Sequence, residues 1–165
     1  MIQTAVHTGV YSDPAAEAHL VSVLAKRRDK IGQVYLTAIN PIVDPKIDGD
    51  GSLSFGNAAV DAKFAEAPTE YTATWSSFDN NTGNTRPLGE TRSATTTVPG
   101  VRGLPSTAGS YIQVDISATS AAHPTWSRPI RTHFRRTATG WTLVGLDRMP
   151  DAQPRTAPAK PASGE

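Results

Sequence analysis

The strongest constraint on the fold is a run of alternating apolar and polar residues that begins at Tyr111. Ile112, Val114 and Ile116 fall on one side of an extended chain, and the polar residues between them fall on the other side. Successive side chains of a β-strand point to opposite faces of a sheet. The stretch 111–118 is therefore predicted to be a half-buried antiparallel strand.

Two further strands are predicted before Arg148, joined by a hairpin turn at 137–140. The stretch 130–136 repeats the alternation, with Ile130, Thr132 and Phe134 facing inward and Arg131, His133 and Arg135 facing outward. The stretch 141–148 is apolar on both faces, with Trp141 and Leu143 on one face and Val144 and Leu146 on the other. We therefore expect this last strand to be covered on both sides, with the N-terminal helix as one candidate cover.

A long helix is predicted over residues 13–40, after a flexible arm at 1–12. Asp13 can cap the helix, Pro14 suits the first helical position, and Pro41 ends it. Gly32 is unfavourable within a helix and marks a kink or a close contact. The apolar residues fall on one stripe at helical spacing, and the middle of the helix is basic. The stripe comprises Leu20, Val23, Leu24, Ile31, Val34, Tyr35 and Ala38, and the basic residues are Lys26, Arg27, Arg28 and Lys30.

The rest of the chain divides by composition. A turn-rich connector is predicted at 41–51, a β domain at 52–149 and a disordered Pro/Ala tail at 150–165. The expected fold is mainly β: an antiparallel β-sandwich preceded by one long helix. The alternative is an α+β cone in which the long helix packs into a curved sheet, as in the nuclear-transport-factor-2-like class.

Composition narrows the function classes. The net charge is +1, which favours neither nucleic acid nor an anionic membrane as a partner, and no stretch is apolar enough to span a bilayer. The chain has no cysteine, so disulfides, thiolate metal sites and a cysteine nucleophile are excluded. The N-terminus lacks the features of a signal peptide. Localisation stays open, with export or a cell-surface position expected if the chain is part of a longer protein.

The segment 52–148 resembles the immunoglobulin- and fibronectin-III-like modules of bacterial multidomain proteins. The resemblance rests on Tyr71-Thr-Ala-Thr-Trp75, which is similar to an early core strand of that class, and on Leu104-Pro105 followed by the strand after Tyr111. It departs from the pattern at Tyr111, which is one residue out of phase with the inward positions. Such modules are usually non-catalytic spacers or binders, and the resemblance implies that role here.

No cofactor or metal ion is expected. Asp44, Asp48 and Asp50 lie in a Gly-containing loop, but Lys46 and Phe55 occupy positions where a calcium-binding loop needs acidic ligands, so a polar turn is favoured. The histidines have no zinc-binding spacing. A search for nucleophile motifs and phosphate-binding loops also finds none.

Two features are candidate binding sites. Trp126, next to His123, is either a loop anchor or an aromatic platform for a sugar ring or a partner's proline. A local excess of positive charge is either a solvated strand face or a strip for an acidic glycan, a phosphate-bearing ligand or an acidic partner. The charged candidates are Arg128, Arg131, His133 and Arg135.

Two functions follow from these patterns. The first is a non-catalytic accessory module that presents a basic, Trp-containing face to a glycan or a protein partner, with a preceding domain of the same polypeptide also expected. The second belongs to the α+β cone, which would enclose a small-ligand or enzymatic pocket between helix and sheet. Asp115, His133 and Tyr35 would then be candidates to line that pocket.

Overall fold

The structure is a computed structural model that describes residues 2–149. The predicted tail at 150–165 lies outside the described residues. The described part is mainly β, with a long helix at its N-terminal side. Its helices are α1 (Ile2–His7), α2 (Pro14–Ala38), α3 (Ala58–Asp61) and a 3₁₀ turn (Pro124–Ser127). Its strands are β1 (Ile42–Ile47), β2 (Leu53–Asn57), β3 (Glu70–Phe78), β4 (Thr85–Ser93), β5 (Thr97–Val98), β6 (Tyr111–Thr119), β7 (Ile130–Arg136) and β8 (Trp141–Asp147).

The start of α2 confirms the predicted cap. The Asp13 carboxylate accepts a hydrogen bond from the Ala15 backbone N–H at 2.8 Å, and Pro14 is the first helical residue. The prediction of an unstructured arm at 1–12 is wrong, because α1 forms there and packs against α2. Val6 in α1 is buried, and His7 Nδ1 lies 3.0 Å from the Glu17 carboxylate of α2. The arm has too few residues for a helical period to be visible in its sequence.

The connector predicted at 41–51 is also corrected, because most of it is strand β1. Ile42 and Ile47 are buried at the two ends of this strand. Between them the pairing with β2 shifts its register between Val43 and Lys46, and Asp44 adopts a positive φ of 51°. The bulge accommodates the Asp-Pro pair that resembled a turn in the sequence.

Two antiparallel sheets make up the β part. The smaller sheet has three strands in the order β1-β2-β5, and the larger has five in the order β4-β3-β6-β7-β8. The sheets approach each other along both sides, because β1 contacts β8 and β4 contacts β5. At the first of these seams the Arg148 guanidinium donates a hydrogen bond to the Ile42 carbonyl at 3.1 Å.

One hydrophobic core lies between the sheets. The alternation predicted for β6 and β7 is confirmed: Ile112, Val114 and Ile116 are fully buried, and their cross-strand partners are Phe134, Thr132 and Ile130. The smaller sheet meets the larger one where the Phe55 and Tyr71 rings pack edge to face with centroids 5.1 Å apart. Beside them the Asn57 amide donates to the Tyr71 hydroxyl at 3.0 Å, which satisfies two buried polar groups.

Helix α2 joins the β part only at its C-terminal end. The indole N–H of Trp126 donates to the Thr37 carbonyl at 3.2 Å, and the Asn40 amide donates to the carbonyls of Ile116 and Arg128. Gly32 marks a close contact, since a Cβ there would lie 2.6 Å from the Phe64 ring. No side chain of α2 is buried. The helix therefore lies outside the two-sheet core instead of filling a curved sheet.

The last strand differs from its prediction. Leu143, Val144 and Leu146 are exposed, because β8 is the edge strand of the larger sheet and α2 does not cover it. The pairing with β7 shifts between His133 and Phe134, so that Val144 is an extra residue in β8. This bulge produces an apolar run without alternation, which in the sequence resembles a strand buried on both faces.

Candidate functional site: the outer face of the larger sheet

Three of the predicted charged residues lie together on the outer face of the larger sheet, the face opposite the core. Arg131, His133 and Arg135 alternate along β7 with the buried residues of that strand. Their partners on β6 are Asp115, Gln113 and Tyr111. The sequence therefore predicted the strip on β7 correctly, but not the groups that face it.

Arg131 and Asp115 form a bidentate ion pair across β6 and β7. Arg131 Nε donates to Asp115 Oδ1 at 2.9 Å, and Nη2 donates to Oδ2 at 2.8 Å. The Gln113 amide donates to the same Asp115 Oδ1 at 3.2 Å. This hydrogen bonding raises the pKa of Arg131, whose side chain is only 16% exposed. The charge of Arg131 is therefore already neutralised within the sheet.

His133 lies next to this pair, and its imidazole packs against an aromatic side chain. Its ring packs against Phe78 with centroids 4.6 Å apart at a tilt of 56°. Burial lowers the pKa of His133, and the positive charge of Arg131 lowers it further, against a smaller opposing effect of Asp115 and Asp147. The imidazole is therefore neutral at neutral pH and offers one N–H donor and one nitrogen acceptor.

The rings of Phe78 and His133 line a groove of about 230 Å³. We call it the outer groove, and it is lined by Phe78, Asn80, Tyr111, His133, Val144 and Gly145. Gly145 lies beside the imidazole, where an added Cβ would be in ordinary van der Waals contact with His133 Nδ1 at 3.5 Å. A second depression of about 470 Å³ continues from it, because the two share Phe78, Asn80 and Tyr111.

Sequence reasoning missed most of the outer groove. Phe78 and Tyr111 pair with each other on β3 and β6, and both face away from the core. The signal was present, because Phe78 breaks the parity of Tyr71 and Trp75, and Tyr111 is out of phase with Ile112. Two aromatic residues on the polar face of neighbouring strands indicate an exposed aromatic surface.

Trp126 does not form the predicted binding platform. Its side chain is fully buried, with the indole N–H bonded to α2, and the His123 ring stacks on it with centroids 4.7 Å apart. A platform needs a free ring face, so of the two alternatives predicted for Trp126 the structure agrees with the anchor and contradicts the platform. His123 itself borders a separate depression of about 780 Å³ between residues 60–69 and 120–123.

The remaining predicted residues are dispersed. Arg128 is exposed after the 3₁₀ turn, and its carbonyl accepts the Asn40 amide. Tyr35 is exposed on α2, whereas Asp115 is held in its ion pair on β6. The three residues proposed for a pocket between helix and sheet are therefore divided between α2 and the outer face.

Within residues 2–149 no group of three or more histidine and acidic side chains is placed to hold a metal ion. Asp50 instead accepts hydrogen bonds from the backbone N–H and the hydroxyl of Ser52, at 2.9 and 2.7 Å. These bonds lower the pKa of Asp50 and close the turn between β1 and β2.

No helix in the described part of the chain is both long and apolar enough to cross a membrane.

Comparisons with family models, with curated proteins and with solved structures find no match to this chain. The resemblance to immunoglobulin- and fibronectin-III-like modules therefore stays a prediction.

Proposed function

We propose that this chain is a non-catalytic binding module that holds a neutral, hydroxyl-rich ligand, such as a neutral oligosaccharide, in the outer groove. The observation that carries the proposal is that three rings, those of Phe78, Tyr111 and His133, line one open groove on the outer face of the larger sheet. Binding sites of this kind combine an aromatic surface with a few oriented polar groups.

The charge distribution favours a neutral ligand over the acidic one expected from the basic strip. Arg131 is held by Asp115, and His133 is uncharged at neutral pH. Of the three strip residues on β7, Arg135 alone is exposed without a described ion pair, and Arg128, the fourth charged candidate, is exposed but does not line the outer groove. A single exposed guanidinium contributes little to the affinity for an anion in physiological salt.

The polar groups of the outer groove match hydroxyl groups. The neutral imidazole of His133, the amide of Asn80 and the phenol of Tyr111 each offer both a donor and an acceptor. A sugar presents the same combination on its ring edge, and it presents apolar C–H groups that can pack on aromatic faces. The titratable pair beside the groove is engaged in its own ion pair, which supports a binding role over a catalytic one.

For the architecture, we propose a β-sandwich that is similar to immunoglobulin- and fibronectin-III-like modules in its layers. One core between two antiparallel sheets, with Tyr71 and Trp75 inside, supports this proposal. The connectivity is different, because β6, β7 and β8 are neighbours in one sheet, whereas the last three strands of the immunoglobulin fold are divided between two sheets. The proposed likeness therefore concerns architecture and a passive role, not strand order.

The test is calorimetric titration of the full chain with neutral gluco-, manno- and galacto-oligosaccharides. We expect binding to at least one series, and Phe78→Ala and Tyr111→Ala to weaken it by about tenfold or more. Tyr35→Ala removes an exposed tyrosine on α2 and serves as the matched control, with affinity unchanged. Equal affinity in all variants would contradict the proposal, as would turnover of glycoside, ester or phosphate substrates by the chain alone.

A further inference from the structure

Helix α2 carries an apolar stripe that no other part of the described chain covers. Its residues are exposed by 37% to 68%, and they are Val23, Leu24, Ile31, Val34 and Tyr35. Helix α1 contacts the beginning of α2 at Glu17, Phe64 packs on another side at Gly32, and the β part holds the end at Thr37 and Asn40. The middle of a 25-residue helix is thus presented to solvent with several large apolar side chains in a row.

Three residues of this stripe, Leu24, Ile31 and Val34, have the spacing of a helix–helix seam, which Arg27 and Ala38 complete. Leu24, Arg27, Ile31, Val34 and Ala38 follow each other at alternating intervals of three and four residues. Residues at such intervals lie on one side of a helix and form the a and d positions of a heptad. Arg28 and Lys30 then occupy the flanking e and g positions, and Arg27 lies within the seam itself.

The charges of the seam point to the nature of its partner. Residues 26–30 contain four basic side chains and one acidic side chain, Asp29. Asp29 is already bound by Arg28, whose Nε lies 2.7 Å from its Oδ1. Arg28 is thereby compensated, whereas Arg27 in the seam and Lys30 beside it have no described ion pair, so residues 26–30 keep a net charge of +3, four positive minus one negative.

We propose that this face of α2 docks an amphipathic helix of a partner protein that carries acidic residues beside its apolar stripe, with one carboxylate opposite Arg27. A guanidinium enclosed in such a seam is stabilised by a bidentate carboxylate, and a flanking glutamate complements Lys30. The surface is separate from the outer groove, so the inference does not depend on the ligand proposed there.

Two other occupants fit less well. A second copy of this chain in a parallel pairing would place Arg27 against Arg27 within the seam, and such a like-charge contact is unfavourable. A membrane surface would have to accommodate Arg27 in the centre of the inserted apolar face, where a charge is costly.

The probe is a synthetic peptide of about four heptads with leucine at the a and d positions, glutamate at e and g, and one glutamate at a central seam position. Its glutamates repel each other, so it does not self-associate. A matched peptide has lysine in place of every glutamate. Binding of each peptide to the full chain is measured by fluorescence anisotropy, with sedimentation of the free chain and co-sedimentation with vesicles of phosphatidylglycerol and phosphatidylcholine in parallel.

We expect the glutamate peptide to bind at least tenfold more tightly than the lysine peptide. Ile31→Ser with Val34→Ser should weaken binding of the glutamate peptide at least tenfold with an unchanged melting temperature, because both side chains are exposed in the free chain. Val10→Ser, another exposed valine, should leave it unchanged. Arg27→Glu should reverse the preference between the two peptides.

The inference is overturned if neither peptide binds, or if both bind equally and Arg27→Glu changes nothing. It is also overturned if the free chain dimerises and Ile31→Ser with Val34→Ser abolishes the dimer, or if vesicles and not the glutamate peptide are bound through these residues.

Discussion

Asp115 and Arg131 face each other across β6 and β7, and two parallel hydrogen bonds of 2.9 and 2.8 Å join their side chains. Both side chains are less than 20% exposed, at 19% and 16%. The pair thus forms the polar centre of the outer face, and it determines which charges that face offers to a ligand.

Removing one member of this pair should destabilise the fold. Asp115→Ala leaves the Arg131 charge without its partner, and we expect the free energy of unfolding in urea to fall by about 1–3 kcal/mol. The double variant Asp115→Ala/Arg131→Ala should lose clearly less than the sum of the two single variants, because neither charge is then left alone. Additive losses would contradict the ion pair.

Trp126 should matter for stability and not for binding. Trp126→Phe removes the N–H that reaches the Thr37 carbonyl and should cost about 1–2 kcal/mol. Trp126→Ala removes a fully buried ring and should cost about 3–5 kcal/mol. Both are measured by urea denaturation. An unchanged stability of Trp126→Ala would place the ring at the surface and restore the platform hypothesis.

The turn between β1 and β2 passes very close to the chain after β5. A Cβ on Gly100 would clash with the carbonyl oxygen of Gly51, so Gly100→Ala should cost about 1–3 kcal/mol of unfolding free energy. Gly49→Ala, in the same turn, is the control: nothing lies within 4 Å of its added Cβ. Equal effects of the two substitutions in thermal unfolding would contradict this packing.

His133 should make the fold less stable in acid. Its pKa is lowered in the folded state, so between that lowered value and the ordinary value of 6.5 the unfolded chain binds more protons. Stability contributed by the neutral imidazole is complete above pH 6.5 and is lost as the pH falls through this window. His133→Gln should therefore lose less stability than the wild type between about pH 7.5 and 5. Parallel curves would indicate an unshifted histidine.

The sequence predicted well those parts of the fold that a short local pattern of residues determines. Asp13 and Pro14 define the start of α2, and the alternation after Tyr111 defines which side of β6 is buried. Local chemistry is sufficient for both, because a cap and a half-buried strand each leave a short, direct pattern.

The errors arose where long-range packing decides the outcome. Asp44 and Pro45 resembled a turn but lie in a bulge that only the pairing with β2 permits. Val144 extended an apolar run because it is the extra residue of a second bulge, so β8 resembled a covered strand although it lies at an edge. Trp126 could be placed in the core only by knowing that α2 ends beside it.

For the candidate site as well, the sequence predicted what a local pattern determines and missed what long-range contacts determine. The sequence predicted that Arg131, His133 and Arg135 share one face, since they alternate within one strand. It did not predict that Asp115 neutralises Arg131 or that Phe78 and Tyr111 meet beside His133, because those contacts join residues from three strands. The face that the sequence indicated to be basic thus carries an aromatic groove, and of its three strip residues on β7 only Arg135 is exposed without a described ion pair.

The most direct test of this account is an NMR titration of the isotope-labelled chain with a neutral oligosaccharide series. Perturbed backbone amide signals are mapped onto the structure. We predict that the amide signals of α2 are unaffected and that the largest chemical-shift changes cluster at Phe78, Asn80, Tyr111, His133 and Gly145. Shifts confined to α2 or to the loops around His123, or no shifts with any neutral sugar, would contradict the assignment of the outer groove as the binding surface.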